Sequence, residues 1–223
     1  MPSSPAAESS RSTDSRGVAG RASRPAPRAR TSGIVAAALA GLLTGACKSG
    51  PAPRLYVLEP AATQAAPVTD TFDAIGTAIV TLPGYARDAR IASRDAGIGV
   101  SLDDEHRWAE EPEEAITRVL LDSLRRHGGG SVLLEPFPRD FEPDARVEID
   151  FDRLLRTAAG GAQASGRILL LSGDGRRLVD VLPFELERSA GSRSPTAFFL
   201  TLSRMIDELA QSALERLREG APA

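Results

Sequence analysis

The stretch Val147-Glu148-Ile149-Asp150-Phe151-Asp152 alternates apolar and acidic residues without a break. A period of two puts the three apolar side chains on one face of a strand and the three carboxylates on the other. The apolar face has to be covered, and two amphipathic segments have the pattern to cover it. In the first, Ile116, Val119, Leu120 and Leu124 recur at helical spacing and form one buried stripe. Glu110, Glu111, Glu113 and Glu114 gather at its start with Pro112 near the first turn, and Arg125, Arg126 and His127 close it before Gly128. Each sign complements the helix dipole. The second segment opens with Ser194 as N-cap and Pro195 at the first helical position, and runs to about Arg218 with Gly220 as its stop. Phe198, Phe199, Leu202, Met205, Ile206, Leu209, Ala213 and Leu217 give it a face wide enough to lie on a sheet.

Other strands surround this one. Residues 72–82 are rich in Ala, Ile, Val and Thr, and residues 91–93 and 98–102 flank Asp95-Ala96-Gly97, a hairpin-turn composition. Asp103-Asp104-Glu105 reads as a polar loop, and residues 132–134 return to the sheet after the glycines. Residues 166–171 and 178–187 form a second hairpin around Ser172-Gly173-Asp174-Gly175, with the run from Ile168 to Leu171 expected to be buried on both faces. Strands interspersed with two long helices predict an α+β (α/β) single domain, a mixed or antiparallel sheet covered by the two helices.

Upstream the composition changes. Residues 1–46 carry six arginines against Glu8 and Asp14, a net of +4, and contain the apolar run from Gly33 to Leu43. That run is 11 residues, and about 20 are needed to cross a bilayer, so residues 1–46 read as a signal peptide. Leu42-Leu43-Thr44-Gly45-Ala46-Cys47 resembles a bacterial lipobox, with Thr44 where an aliphatic residue is usual. Thr44-Gly45-Ala46 equally suits an ordinary leader peptidase; Cys47, however, is the only cysteine and occupies the position acylation needs. Cys47 is therefore the expected lipid attachment site. Residues 47–69 read as a Pro/Ala-rich tether interrupted by a short strand at 55–58, residues 70–218 as the folded domain and 219–223 as a tail.

Removing the leader leaves 21 basic and 28 acidic residues, a net near −7. Such a surface lacks the basic footprint that nucleic acid requires. Cofactor and metal signatures are missing too: two histidines and one cysteine cannot supply a zinc set, and neither a nucleophile elbow nor a phosphate-binding loop is present. Glu148, Asp150 and Asp152 offer carboxylates for acid–base chemistry or calcium, but no opposing cluster is in view and a solvated strand face accounts for them. No metal, cofactor or catalytic residue is assigned.

Leu82-Pro83-Gly84-Tyr85-Ala86-Arg87, then Arg90-Ile91 and Arg94, then His106-Arg107-Trp108-Ala109-Glu110 followed by Ile116-Thr117-Arg118-Val119-Leu120, resemble the auxiliary lipoprotein of ABC-type transporters, the PqiC-like (YmbA-like) family. The resemblance spans roughly residues 54–217. It implies a non-catalytic subunit anchored by its N-terminal lipid on the periplasmic face of the outer membrane. Its partners would be an MCE-domain protein and ABC transporter subunits moving lipid between membranes, with self-association as a further family trait. Lys48 after the cysteine fits outer-membrane sorting. Tyr85, Arg87, Arg90 and Trp108 are the candidate partner-interface residues, since Tyr, Arg and Trp dominate interface hot spots; Trp108, just before the first helix, is alternatively a hydrophobic lid on the core, and Arg87 and Arg90 are alternatively placed to pair with Asp88 and Asp95. A structural lipoprotein of another envelope complex and a periplasmic enzyme are the competing readings.

Overall fold

A computed structural model describes residues 51–62, 72–95, 97–128 and 130–220; Cys47, the leader and tether residues 48–50 and 63–69 lie outside them. The described residues form one α+β domain whose centre is the strand read first. The strands are β1 (Arg54–Tyr56), β2 (Ala74–Thr77), β3 (Arg90–Arg94), β4 (Val100–Trp108), β5 (Ser131–Leu134), β6 (Ala145–Arg156), β7 (Ala162–Ser172) and β8 (Leu178–Arg188), and the helices are α1 (Pro112–Gly128) and α2 (Pro195–Gly220).

Strand β6 is hydrogen-bonded along both edges. One edge takes β7 antiparallel over nearly its whole length, and β8 follows β7. The other edge is shared: β2 lies parallel to its first residues, Thr81 bridges to Asp150, and β3 meets Arg156. β5 extends the β2 end, while β4 and then β1 extend the β3 end, so the sheet is mixed and eight-stranded. Val147, Ile149 and Phe151 are all under 5 % exposed on the helix side. Glu148 and Asp150 are half-buried and Asp152 exposed on the opposite face. Asp152 sits in a β-bulge between Phe151 and Arg153. Opposite the bulge the backbones come so close that a side chain on Gly166 would collide with the Asp150 carbonyl. The β7–β8 turn closes on Gly175 at φ +72, where the left-handed region favours glycine.

Both helices form as their patterning predicts. Ser194 Oγ accepts from the Ala197 amide at 3.2 Å and caps α2. Val119, Leu120, Leu124, Leu202, Met205 and Ile206 are at most 1 % exposed between the helices and the sheet. The helices are also joined by a polar clasp. Asp207, 3 % exposed on α2, takes His127 Nε2 at 3.0 Å, Arg126 at 3.1 Å and Gln211 at 3.0 Å. Burial pushes the Asp207 carboxyl up, but the hydrogen bonds from Ser123 and His127 and the charges of His127 and Arg126 outweigh it and hold the carboxyl below its ordinary value.

Four expectations are corrected. The strand expected over 72–82 stops at Thr77: the chain then leaves the sheet, and the Val80 amide donates to Thr117 Oγ1 on α1 at 3.0 Å instead. Asp103-Asp104-Glu105 is not a loop but the middle of β4, between the residues that pair with β3 in unbroken register, which end at Asp103, and those that pair with β1, which begin at His106. Residues 168–171 alternate buried and half-buried because only the helix side is covered. Finally, the strand expected at 55–58 is the sheet strand β1, and the residues after it belong to the folded body. Arg118 donates to the Leu58 carbonyl at 2.9 Å, Ser203 donates to the Glu59 carbonyl at 2.6 Å, and Leu58 is fully buried.

Replacing Asp207 with Ala should cost about 3 kcal/mol or more in a denaturant titration at pH 7, as removal of one partner from a buried ion pair does. Asp104→Ala, at an exposed pair, should cost under about 1 kcal/mol. Because the Asp207 carboxyl is held below its unfolded value, its stabilisation is present above about pH 4 and fades as pH falls through the folded value. The gap between wild type and Asp207→Asn should accordingly narrow on acidification.

Candidate functional site

The two segments that carry the family resemblance fold against each other where β3, β4 and the start of α1 meet. After Thr77 the chain returns to β6 at Thr81, whose amide donates to the Ile149 carbonyl at 3.0 Å and whose carbonyl accepts from Phe151 at 2.8 Å. Leu82 is buried and its amide donates to Glu113 Oε1 in the first turn of α1 at 3.1 Å. Gly84–Ala86 make one 3-10 turn, closed by the Ala86 amide on the Pro83 carbonyl at 2.8 Å. The turn brings Tyr85, half-buried, over the end of β6, where its hydroxyl accepts from the Leu154 amide at 3.3 Å.

Arg87 Nε donates back to the Leu82 carbonyl at 3.0 Å and pairs with Glu113 at 3.1 Å, leaving 54 % of its side chain exposed. Arg90 clasps Asp88 through Nε and a terminal nitrogen, both at 2.9 Å, and reaches Asp104 at 3.3 Å. These bonds hold the Asp88 carboxyl down to about 2 and raise the Arg90 guanidinium. Asp95 accepts from Ser101 Oγ at 2.9 Å and is not an arginine partner. Arg107 stands opposite Arg90 across the β3–β4 pair.

Trp108 takes the core-lid alternative and not the interface one. It is 5 % exposed, with its ring edge-on to Phe199 at 4.7 Å and to Phe198 at 6.4 Å, while Tyr56 stacks on Phe199 at 5.5 Å. The indole therefore belongs to the core, where it seats α2 on β1 and β4. Of the four residues expected at an interface, Tyr85, Arg87 and Arg90 share one rim of the sheet and Trp108 lies beneath it.

The arrangement is one of ion pairs and carbonyl contacts. Among the described residues no group of three or more His, Cys, Asp and Glu side chains converges for a metal ion. On the open sheet face Asp150 is paired with Arg167 at 2.9 Å. Glu148 is raised by burial and by the neighbouring charges of Glu135 and Asp150. His106 Nδ1 lies 2.9 Å from Asp103 at the edge of β4. The contacts of Arg118 and Ser203 with the chain after β1 had no signal in the sequence, because each partner is a backbone carbonyl far away in the chain.

The profile of the ABC-type transport auxiliary lipoprotein component matches residues 56–213. The chain belongs to this family. The match confirms the resemblance read from Leu82–Arg87 and His106–Glu110, and it begins at Tyr56, the last residue of β1. Two solved structures are similar to this auxiliary lipoprotein. One is an uncharacterized protein with a TM-score of 0.61 and 14 % identity, covering 74 % of this chain and 98 % of its own. The other is a Xanthomonas campestris protein assigned to the DUF330 family, with a TM-score of 0.60, 14 % identity and coverage of 75 % and 95 %. At that identity the likeness concerns the fold. Among curated proteins no match was found.

Trp108 is the only tryptophan, so its emission reports one site. The native protein should emit at short wavelength and resist acrylamide, and Trp108→Ala should cost about 3–5 kcal/mol. Red-shifted, freely quenched emission from the folded protein would place the indole at the surface.

Proposed function

We propose that this auxiliary lipoprotein is the non-catalytic, lipid-anchored subunit of an ABC-type transporter that works with an MCE-domain protein in moving lipid between membranes. In this reading acylated Cys47 fixes it on the periplasmic face of the outer membrane, and the folded domain docks the rest of the system there. The family match over residues 56–213 carries the proposal. Supporting it, Cys47 stands directly after a leader-like segment and seven residues before β1. A multi-chain lipid modification gives durable membrane attachment that one acyl chain does not. The chain from Tyr56 to Glu59 is tied into the domain by Arg118 and Ser203, so tension on the anchor would pass into the helical layer.

For partner contact the proposal takes the rim formed by Tyr85, Arg87 and Arg90. Arg87 keeps more than half of its side chain in solvent although its Nε is paired, which leaves donors for an incoming carboxylate or carbonyl.

Tagged protein purified from solubilised envelopes should bring down transporter subunits and an MCE-domain protein. Arg87→Glu should reduce that recovery several-fold with the fold intact. Cys47→Ala should move the protein from the membrane pellet to the soluble fraction and abolish labelling by fatty acid. Recovery of an unrelated envelope complex in place of the transporter would select the structural-lipoprotein reading.

A further inference from the structure

Three connections emerge together at one end of the sheet. β3 runs parallel to β6 with Ser93 level with Arg156, which faces Ala162 of β7, which in turn faces Arg188 of β8. The β3–β4 tip, the β6–β7 turn at 157–161 and the β8–α2 connection at 189–194 therefore share this end. The last two are in contact: a side chain on Gly160 would collide with the Ser192 carbonyl, and Arg156 donates to the carbonyl of Arg193.

The composition of this end departs from the rest of an acidic domain. Its three connections are built largely of Gly, Ala, Ser and Thr; the cations are Arg193 in the β8–α2 connection and Arg94, the last residue of β3, which also donates to the Gly97 carbonyl at 3.1 Å. Among the described residues of the three, Asp95 is the only carboxylate, and it is engaged by Ser101. Ile98 stands at the hairpin tip 99 % exposed, and Val100 beside it is 40 % exposed. At the opposite end, the chain before β2 and β6 and the β7–β8 turn carry Asp73, Glu135, Asp140, Glu142, Asp144 and Asp174 against Arg139, Arg176 and Arg177, so carboxylates outnumber cations there even though Leu178 and Val179 are also exposed. A single exposed isoleucine is ordinary. An exposed isoleucine at the carboxylate-poor end of an otherwise acidic body is a polarity along the strand axis.

The direction of β1 says what this end faces. β1 runs parallel to β4 with Arg54 level with His106, so the chain followed back from Arg54 heads toward the tip. From His106 to Val100 is six residues of β4, roughly 20 Å. From Cys47 to Arg54 is seven residues, which reach at most about 25 Å. A lipid on Cys47 is thus within reach of the plane of the tip.

We propose that this end of the sheet rests on the phospholipid surface, with Ile98 entering the bilayer interface and Arg94 and Arg193 facing anionic headgroups. The inference rests on the acylation of Cys47 and adds to it a second membrane contact that sets the orientation of the domain. The acidic end and the α2 C-terminus then point away from the membrane, toward the periplasmic partners.

The test uses the full-length acylated protein in vesicles of phosphatidylethanolamine and phosphatidylglycerol. Acylation leaves no free thiol, so Ile98→Cys, Val100→Cys (which keeps Ile98) and Asp174→Cys can each be labelled with an environment-sensitive fluorophore, and the mass of the N-terminal peptide reports the acyl chains. The labels at 98 and 100 should shift to the blue and be quenched several-fold by spin-labelled lipid, while the label at 174 stays in water. Labels at 98 and 100 left in water on an acylated protein would overturn the orientation alone. So would shielding that appears only when a partner protein is added. An unmodified Cys47 would overturn the anchor and the reach argument with it.

Discussion

Strand β6 is the constraint on which the structure depends, because it is bonded on both edges and covered on only one face. Along one edge it carries the β7–β8 hairpin; along the other it carries two smaller groups of strands, β2 with β5 near its start and β3 with β4 and β1 at its end. Val147, Ile149 and Phe151 present an apolar surface that only a helical layer can remove from water, at about 25 cal/mol per Å² of apolar area. Both helices lie on that side, so the opposite face must keep its carboxylates solvated or paired, as Asp150 is with Arg167. A one-sided layer leaves a bare sheet face and two free ends. Under the proposed anchoring and docking, those are the surfaces available to the membrane and to other proteins.

Each group of strands is tied to the helices by a different device. The β2 side is held where the chain leaves the sheet, by Thr117 on the Val80 amide and Glu113 on the Leu82 amide. The β4 side is held by Trp108 against Phe198 and Phe199. Between the helices Asp207 accepts from α1 and α2 together, and this satisfaction offsets much of the cost of burying its charge. The family segments Leu82–Arg87 and His106–Glu110 lie at the joint of sheet and helices, and most of their polar groups are spent there. What they leave exposed is part of Tyr85, Arg87 and Arg90, the rim proposed for partner contact.

The parts of the fold that obey a local rule were legible in the sequence. The alternation at 147–152, the stripe from Ile116 to Leu124 and the Ser194-Pro195 helix start each encode one element in a single period or cap. The extent of β4 was not legible, because Asp103-Asp104-Glu105 has no period of two and is carried in a strand whose start pairs with β3 in unbroken register up to Asp103 and whose end pairs with β1 from His106. The break after Thr77 was hidden in a run of good strand formers; a hydroxyl on another element outbids the ladder for the Val80 amide. Trp108 suited an interface by residue type and a core lid by its place before α1, and the packing of Phe198 and Phe199 of α2 decides for the core. The Asp207 clasp carries no local signal in the sequence, since its partners His127 and Arg126 lie some 80 positions earlier. Cys47 is legible in the sequence alone and lies outside the described residues.

Native-state hydrogen exchange of the β6 amides tests the central claim, that one doubly bonded strand supports the whole domain, most directly. The amides of residues 147–155 should exchange only through global unfolding, with an opening free energy equal to that from denaturant titration, while β1, β5 and β8 at the rims open more easily. Exchange of those β6 amides through a low-energy local opening, with β7 and β8 still protected, would contradict the account.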